Sequence, residues 1–156
     1  MVTQEHLSSQ YDKDLDALRT LVLQMGGLVE SQIAAAVTAY SEGDLSTVDN
    51  TIATDHKVNG MEMTIDDECS HIIALRQPAA TDLRLVMAIT KTVTDLERIG
   101  DEAKKIARMA KKIHDGDRAL LPRFADIRYA AQLATGMLRN ALDAFARLDV
   151  ALAARV

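Results

Sequence analysis

The sequence predicts an all-α fold, an antiparallel bundle of long helices. Apolar residues recur in steps of three and four over stretches of about 30 residues. Only 2 prolines and 7 glycines interrupt 156 residues. No segment alternates apolar and polar residues as a half-buried strand would.

The first helix carries an apolar seam at Leu7, Tyr11, Leu15, Leu18, Val22, Met25, Val29, Ile33, Ala36 and Tyr40, widened by Leu21 and Leu28. It is expected to stop at Ser41-Glu42-Gly43-Asp44, where Gly43 can end a helix and Asp44 can cap the next. Helix two is expected over about 45–75, on Leu45, Val48, Ile52, Val58, Met61, Ile65, Cys69 and Ile72. It runs into Arg76-Gln77-Pro78, and a proline biases the preceding residue away from helical geometry. Helix three is expected over about 80–113, on Val86, Ile89, Val93, Leu96, Gly100, Ala103 and Ala107. The small residues at its C-terminal end should admit a close neighbour, and Gly116 should form a left-handed cap. Helix four should start near Pro122, a good first-turn residue. Its heptad-like seam of Phe124, Ile127, Ala131, Ala134, Leu138, Ala141, Phe145, Leu148 and Leu152 should run to the last turn. Short connections make successive helices antiparallel.

Composition narrows the function classes. The chain is 48% apolar and 26% charged, with 18 basic and 23 acidic residues and a net charge of -5. That balance argues against a nucleic-acid binder, which needs a basic face. The single cysteine, Cys69, permits no internal disulfide and reads as a small core residue in a reducing compartment. The first residues lack the basic and apolar regions of a signal peptide. No window reaches the unbroken apolar length of a membrane helix, so the expected location is the cytoplasm.

Helices one and four align weakly at an offset of 105, pairing Leu28 with Leu133, Ile33 with Leu138, Val37 with Leu142, Tyr40 with Phe145, Asp44 with Asp149 and Leu45 with Val150. The expected organisation is therefore a first three-helix repeat over 1–116, then the first helix of an incomplete second repeat over 117–156. Helix four would fold back on the first unit or pair between chains.

Two Glu-x-x-x-Asp steps carry the candidate chemistry: Glu62 with Asp66 on helix two, and Glu97 with Asp101 on helix three. Each pair shares a helix face beside the apolar seam. Polar lines extend them, through Asp55 and Asn59 on one helix and Thr90 and Thr94 on the other. Four converging carboxylates repel, and a bound cation relieves the repulsion. Carboxylate oxygens suit Mg, Ca, Mn or Fe. The plainer reading is a solvated acidic edge neutralised by Lys104 and Lys105. Carboxylate di-metal enzymes add a Glu-x-x-His step, but here Ile65 and Gly100 occupy that spacing. His56 and His71 are 15 residues apart on one helix and cannot share a metal. His6 and His114 sit near helix ends; all four histidines read as surface or end-capping residues. Gly26-Gly27 lacks phosphate-loop spacing. No Ser-His-Asp or Cys-His arrangement can be argued, and the methionines follow seam spacing.

The run from Arg76-Gln77-Pro78 through Asp82-Leu83-Arg84-Leu85-Val86-Met87, then Asp95-Leu96-Glu97-Arg98-Ile99-Gly100-Asp101, resembles the PhoU family. Met61-Glu62 through Asp66-Asp67-Glu68-Cys69 fits that family's second helix, and the resemblance covers essentially the whole chain. It implies two tandem three-helix bundles, of which the second is incomplete here. It implies a cytoplasmic, commonly dimeric negative regulator of bacterial phosphate uptake and the phosphate-starvation response. The implied partners are a phosphate ABC transporter ATPase and a sensor histidine kinase, with membrane contact only through them. Some members bind multinuclear metal clusters through paired acidic motifs, which Glu62, Asp66, Glu97 and Asp101 match; Fe, Mn, Mg or Zn is then the expected ion. The expected function is thus a regulatory adaptor without catalysis. The alternatives are a metal-dependent carboxylate-bundle enzyme and a purely structural scaffold.

Overall fold

A computed structural model of the chain describes residues 3–116 and 124–156, with side chains over 11–116 and 125–156. The helix start expected at Pro122, and the side chains of His6, Leu7 and Phe124, lie outside what is described. The described residues form α1 (Thr3–Glu42), α2 (Ser46–Arg76), α3 (Ala80–Asp115), α4 (Phe124–Arg147) and α5 (Val150–Ala153). The fold is an all-α bundle, as expected. At 40 residues, α1 is roughly 60 Å long. It packs against α2, α3 and α4 and forms the axis of the bundle.

The turns follow local chemistry. Gly43 ends α1 with a φ of 72°, a conformation that costs glycine little. Asp44 Oδ1 then accepts from the Ser46 backbone N–H at 3.1 Å. Gln77, held out of the right-handed helix by Pro78, adopts a φ of 46° and donates its N–H to Ile73 O. Gly116 is not the left-handed cap expected: its φ is -88° and its ψ 179°. The end of α3 is instead tied to α1 by His114, whose Nε2 lies 3.0 Å from Tyr40 O. The helix-four seam does not run to the last turn either. Leu148 breaks it at a φ of 52°, and the Asp149 side chain accepts from Leu152 N to cap α5.

In the first three helices the expected seams are the core. Leu18, Val22, Met25 and Val29 of α1 meet Val58, Ile65, Cys69 and Ile72 of α2 and Val86, Ile89, Val93 and Leu96 of α3. By length and composition Tyr11–Glu42 is apolar enough to cross a membrane, contrary to expectation. Here 33% of its apolar window is buried against the other helices. A second cluster of smaller residues joins Ala36, Ala39 and Tyr40 to Val48 and to Ala103, Ala107 and Ala110. Along each helix the two clusters are separated by polar or minimal positions: Gln32 on α1, Thr51 and Asp55 on α2, and Gly100 on α3. Gln32 Nε2 donates to Thr51 O at 3.3 Å.

Helix four docks through part of the expected seam, Leu138 and Phe145, with Leu142 taking the place expected of Ala141. Leu138, Leu142 and Phe145 pack on the main core, with Leu142 seated over Gly26. Ile127, Ala134, Ala141 and Leu148 are exposed.

A Cβ at Gly100 would lie 2.8 Å from Gln32 Oε1, whereas one at Gly27 would meet nothing within 4 Å. Gly100→Ala displaces the buried Gln32 carboxamide and is expected to destabilise by about 1 kcal/mol net of the gain in helix propensity. Gly27→Ala, on an exposed position, is expected to stabilise by about 0.8–1 kcal/mol. Urea denaturation of both variants checks the opposite signs.

Candidate functional site

The seams fix how α2 and α3 are rotated, and thereby where the acids stand. Val58, Ile65 and Cys69 anchor α2, while Val93, Leu96 and Gly100 anchor α3. Glu62, Asp66, Glu97 and Asp101 flank those seams and are all half-buried. Partial burial, then the charge of Glu97, then that of Asp66, push the Glu62 carboxyl above the usual carboxylate range. Three of the four acids thus share one field. Asp66 Oδ1 and Asn59 Oδ1 are buried acceptors without a hydrogen-bond partner.

Asp101 is held differently. Lys104 Nζ lies 2.6 Å from Asp101 Oδ1 and 2.7 Å from Asp55 Oδ2. The hydrogen bond from Lys104 holds the Asp101 carboxyl below its usual value, and the two carboxylates raise Lys104 in turn. Lys105 bonds Glu102 at 2.8 Å, and its charge adds to that of Lys104 in lowering the Asp101 carboxyl, as expected. Among the described residues, no three His, Cys, Asp or Glu side chains stand as a ready metal-ligand set. The donor chemistry still suits a hard cation: clustered carboxylates, one with an unpartnered oxygen, beside an unpartnered amide oxygen. Cys69 is buried and burial raises its thiol, so it adds no soft ligand. His56 and His71 are exposed, as expected.

Two residues of the polar layer were not recognised from sequence. Asp55, on the polar line that extends the α2 acids, is 2% exposed, and Gln32 is 1% exposed. Both fall on seam spacing: Asp55 fills the gap between Ile52 and Val58, and Gln32 sits between Val29 and Ala36. A polar residue interrupting a seam at helical spacing was the available signal.

Residues 22–110 match the model of the PhoU domain. The chain belongs to the PhoU family. The matched span runs from α1 to α3 and contains all four acids and Lys104. A phosphate-specific transport system accessory protein PhoU homolog of Pseudomonas putida is 47% identical over 152 residues, 97% of this chain and 59% of its own length. The PhoU accessory protein of Escherichia coli (strain K12) is 45% identical over 154 residues, 97% of this chain and 62% of its own. The crystal structure of PhoU from Pseudomonas aeruginosa superposes with a TM-score of 0.88 at 43% identity, covering 93% of this chain and 69% of that one. A phosphate transport system regulatory protein PhoU from Streptococcus pneumoniae superposes at 0.84 and 28% identity, covering 93% and 67%. The chain spans about three fifths of the length of the curated relatives it matches.

The raised Glu62 pKa sets a pH dependence in metal-free protein. A carboxyl whose folded pKa exceeds its unfolded value favours folding only while protonated, so its contribution is intact at low pH and is lost as pH rises through the folded pKa. Glu62→Gln is therefore expected to raise stability at pH 7 by roughly 0.2–0.5 kcal/mol, the size of one like-charge helix pair. The gain should vanish below about pH 4. Urea midpoints at the two pH values, in the presence of a chelator, test this.

Proposed function

We propose that the chain is a regulatory adaptor of bacterial phosphate uptake and of the phosphate-starvation response, acting by binding and without catalysis. The supporting observation is that the family match spans the three-helix unit carrying the acidic edge. The relatives' names, accessory protein of phosphate-specific transport and phosphate transport regulatory protein, give the biological setting. In this reading the chain works in the cytoplasm as a negative regulator and a homodimer. It contacts the phosphate transporter ATPase and a sensor histidine kinase, and reaches the membrane only through them.

Glu62, Asp66 and Glu97 would hold a hard cation, of which Mg, Mn and Fe suit their oxygens best; Zn is the remaining candidate. Asp101 would join them on release from Lys104. The cation supplies positive charge that cancels the carboxylate repulsion and an electrophilic point for acceptor groups on a partner. The chain's own part is positional: the α2–α3 seam sets two acidic edges side by side.

The offset of 105 supports a division into a first three-helix unit over 1–116 and the opening of a second over 117–156. Gly43 and Leu148, which it pairs, both have positive φ, and the paired Asp44 and Asp149 each accept from a backbone N–H of the next helix.

Capture of the transporter ATPase and the kinase by the tagged chain, with Mn present, tests the proposal. The wild type is expected to retain both, and Glu62→Gln/Glu97→Gln to lose at least about tenfold in affinity, as removal of two hot-spot charges would. Unchanged capture by the variant would remove the acidic edge from the interaction.

A further inference from the structure

Lys104 stands between the acidic edge and the interior. Its side chain is 16% exposed, and its ammonium bridges Asp55 on α2, whose side chain is 3% exposed, to Asp101 one turn back on α3, whose side chain is 36% exposed. The two carboxylates are not equivalent. Asp55 is enclosed by the bundle, with the Lys104 ammonium 2.7 Å from its Oδ2. Asp101 lies at the rim, with Lys105 and Arg108 as its weaker, more distant cations. Asp55 Oδ1 is buried and has no hydrogen-bond partner. An ammonium that lost Asp101 would therefore still have a carboxylate beside it, with a second oxygen free to accept.

We propose that Lys104 is a tethered counter-ion that competes with metal for Asp101, so that completing the metal edge and transferring Lys104 wholly to Asp55 are one event. This rests on the metal reading of Glu62, Asp66 and Glu97 given above. In the metal-free chain Lys104 occupies Asp101 and leaves a three-carboxylate edge. With metal bound, Asp101 turns outward and Lys104 closes on both oxygens of Asp55. The exchange reaches the interior because Asp55 lies in the same polar layer as Gln32, Thr51 and Gly100. Lys104 is thus a positioning residue: it sets metal affinity through Asp101 without touching the ion.

Calorimetric titration of the chain with Mn tests this in three forms: wild type, Asp55→Asn/Lys104→Met, and the same pair with Asp101→Asn added. The pair removes both members of the internal ion pair, so neither charge is stranded. The pair is expected to bind Mn at least about fivefold more tightly than the wild type, the lower end of ordinary site-to-site coupling. Adding Asp101→Asn should abolish that gain. Equal Mn affinity in the wild type and the pair would overturn the role of Lys104 and leave the metal reading standing. A gain that survives Asp101→Asn would overturn it too. Absence of Mn binding in all three would sink both.

A second measurement needs only wild-type protein, should the pair not fold. Titration with diamagnetic Mg, followed by nitrogen-15 NMR, reads the Lys104 ammonium directly. That signal is expected to shift in step with the α2 amides beside Glu62. Shifted amides with an unmoved ammonium would overturn the competition, and no shift in either would overturn both readings.

Discussion

The close approach of α3 to α1 and α2 at Gly100 is the constraint from which the rest of the bundle follows. Any side chain there would drive into the Gln32 carboxamide. With none, α3 comes near enough for Gln32 to lie over its backbone, and Ala103, Ala107 and Ala110 continue the approach toward Tyr40 and Val48. The large aliphatic cluster on one side and the alanine-rich cluster on the other meet at this level. The polar layer between them is affordable because its members are largely partnered: Gln32 with Thr51, and Asp55 with Lys104. Such a layer penalises any slip of one helix along another, because a slip would strand Asp55 or Lys104 in aliphatic surroundings.

The acidic edge is a by-product of that geometry. Once the seams are packed, the positions flanking them on α2 and α3 come together, and those positions hold glutamate and aspartate. Three acids sharing one field is unfavourable in the isolated chain, which the raised Glu62 carboxyl registers. The arrangement therefore stores a demand for positive charge. Lys104 meets part of it from within the chain, and the remainder faces outward.

Much of this was legible in the sequence where a single physical rule dominated. The α1, α2 and α3 seams were readable because three long amphipathic helices have one economical way to bury their stripes. The Gly43 and Pro78 turns followed from backbone sterics alone. Helix four was legible only in part: Leu138 and Phe145 dock as its seam predicts, but periodicity does not say whether Ala141 or the neighbouring Leu142 turns inward. Gly116 failed as a predicted cap because the end of α3 is secured from a distance by His114 and the Tyr40 carbonyl. The nearness of Glu62 to Glu97 across the two helices was legible, since register on adjacent helices follows from the turn between them. The capture of Asp101 by Lys104 was anticipated only as surface neutralisation; its reach to a buried Asp55 depends on three helices closing together.

The docking of α4 on α1 has a consequence for how the molecule breathes. The helices α1, α2 and α3 each bury a stripe against two others, so opening any one exposes the common core. Among the described residues, helix four joins that core through Leu138, Leu142 and Phe145, with Ala144 also buried, and leaves most of its remaining surface to solvent. Its contacts with α1 join residues more than a hundred positions apart, among them Arg139 with Glu30 and Arg19 with the Ala146 carbonyl. Closing so long a loop is entropically slow and its contact area is modest. The chain therefore has two tiers of protection: amides in the three-helix unit exchange with solvent only on global unfolding, and those of α4 exchange through a smaller, separate opening.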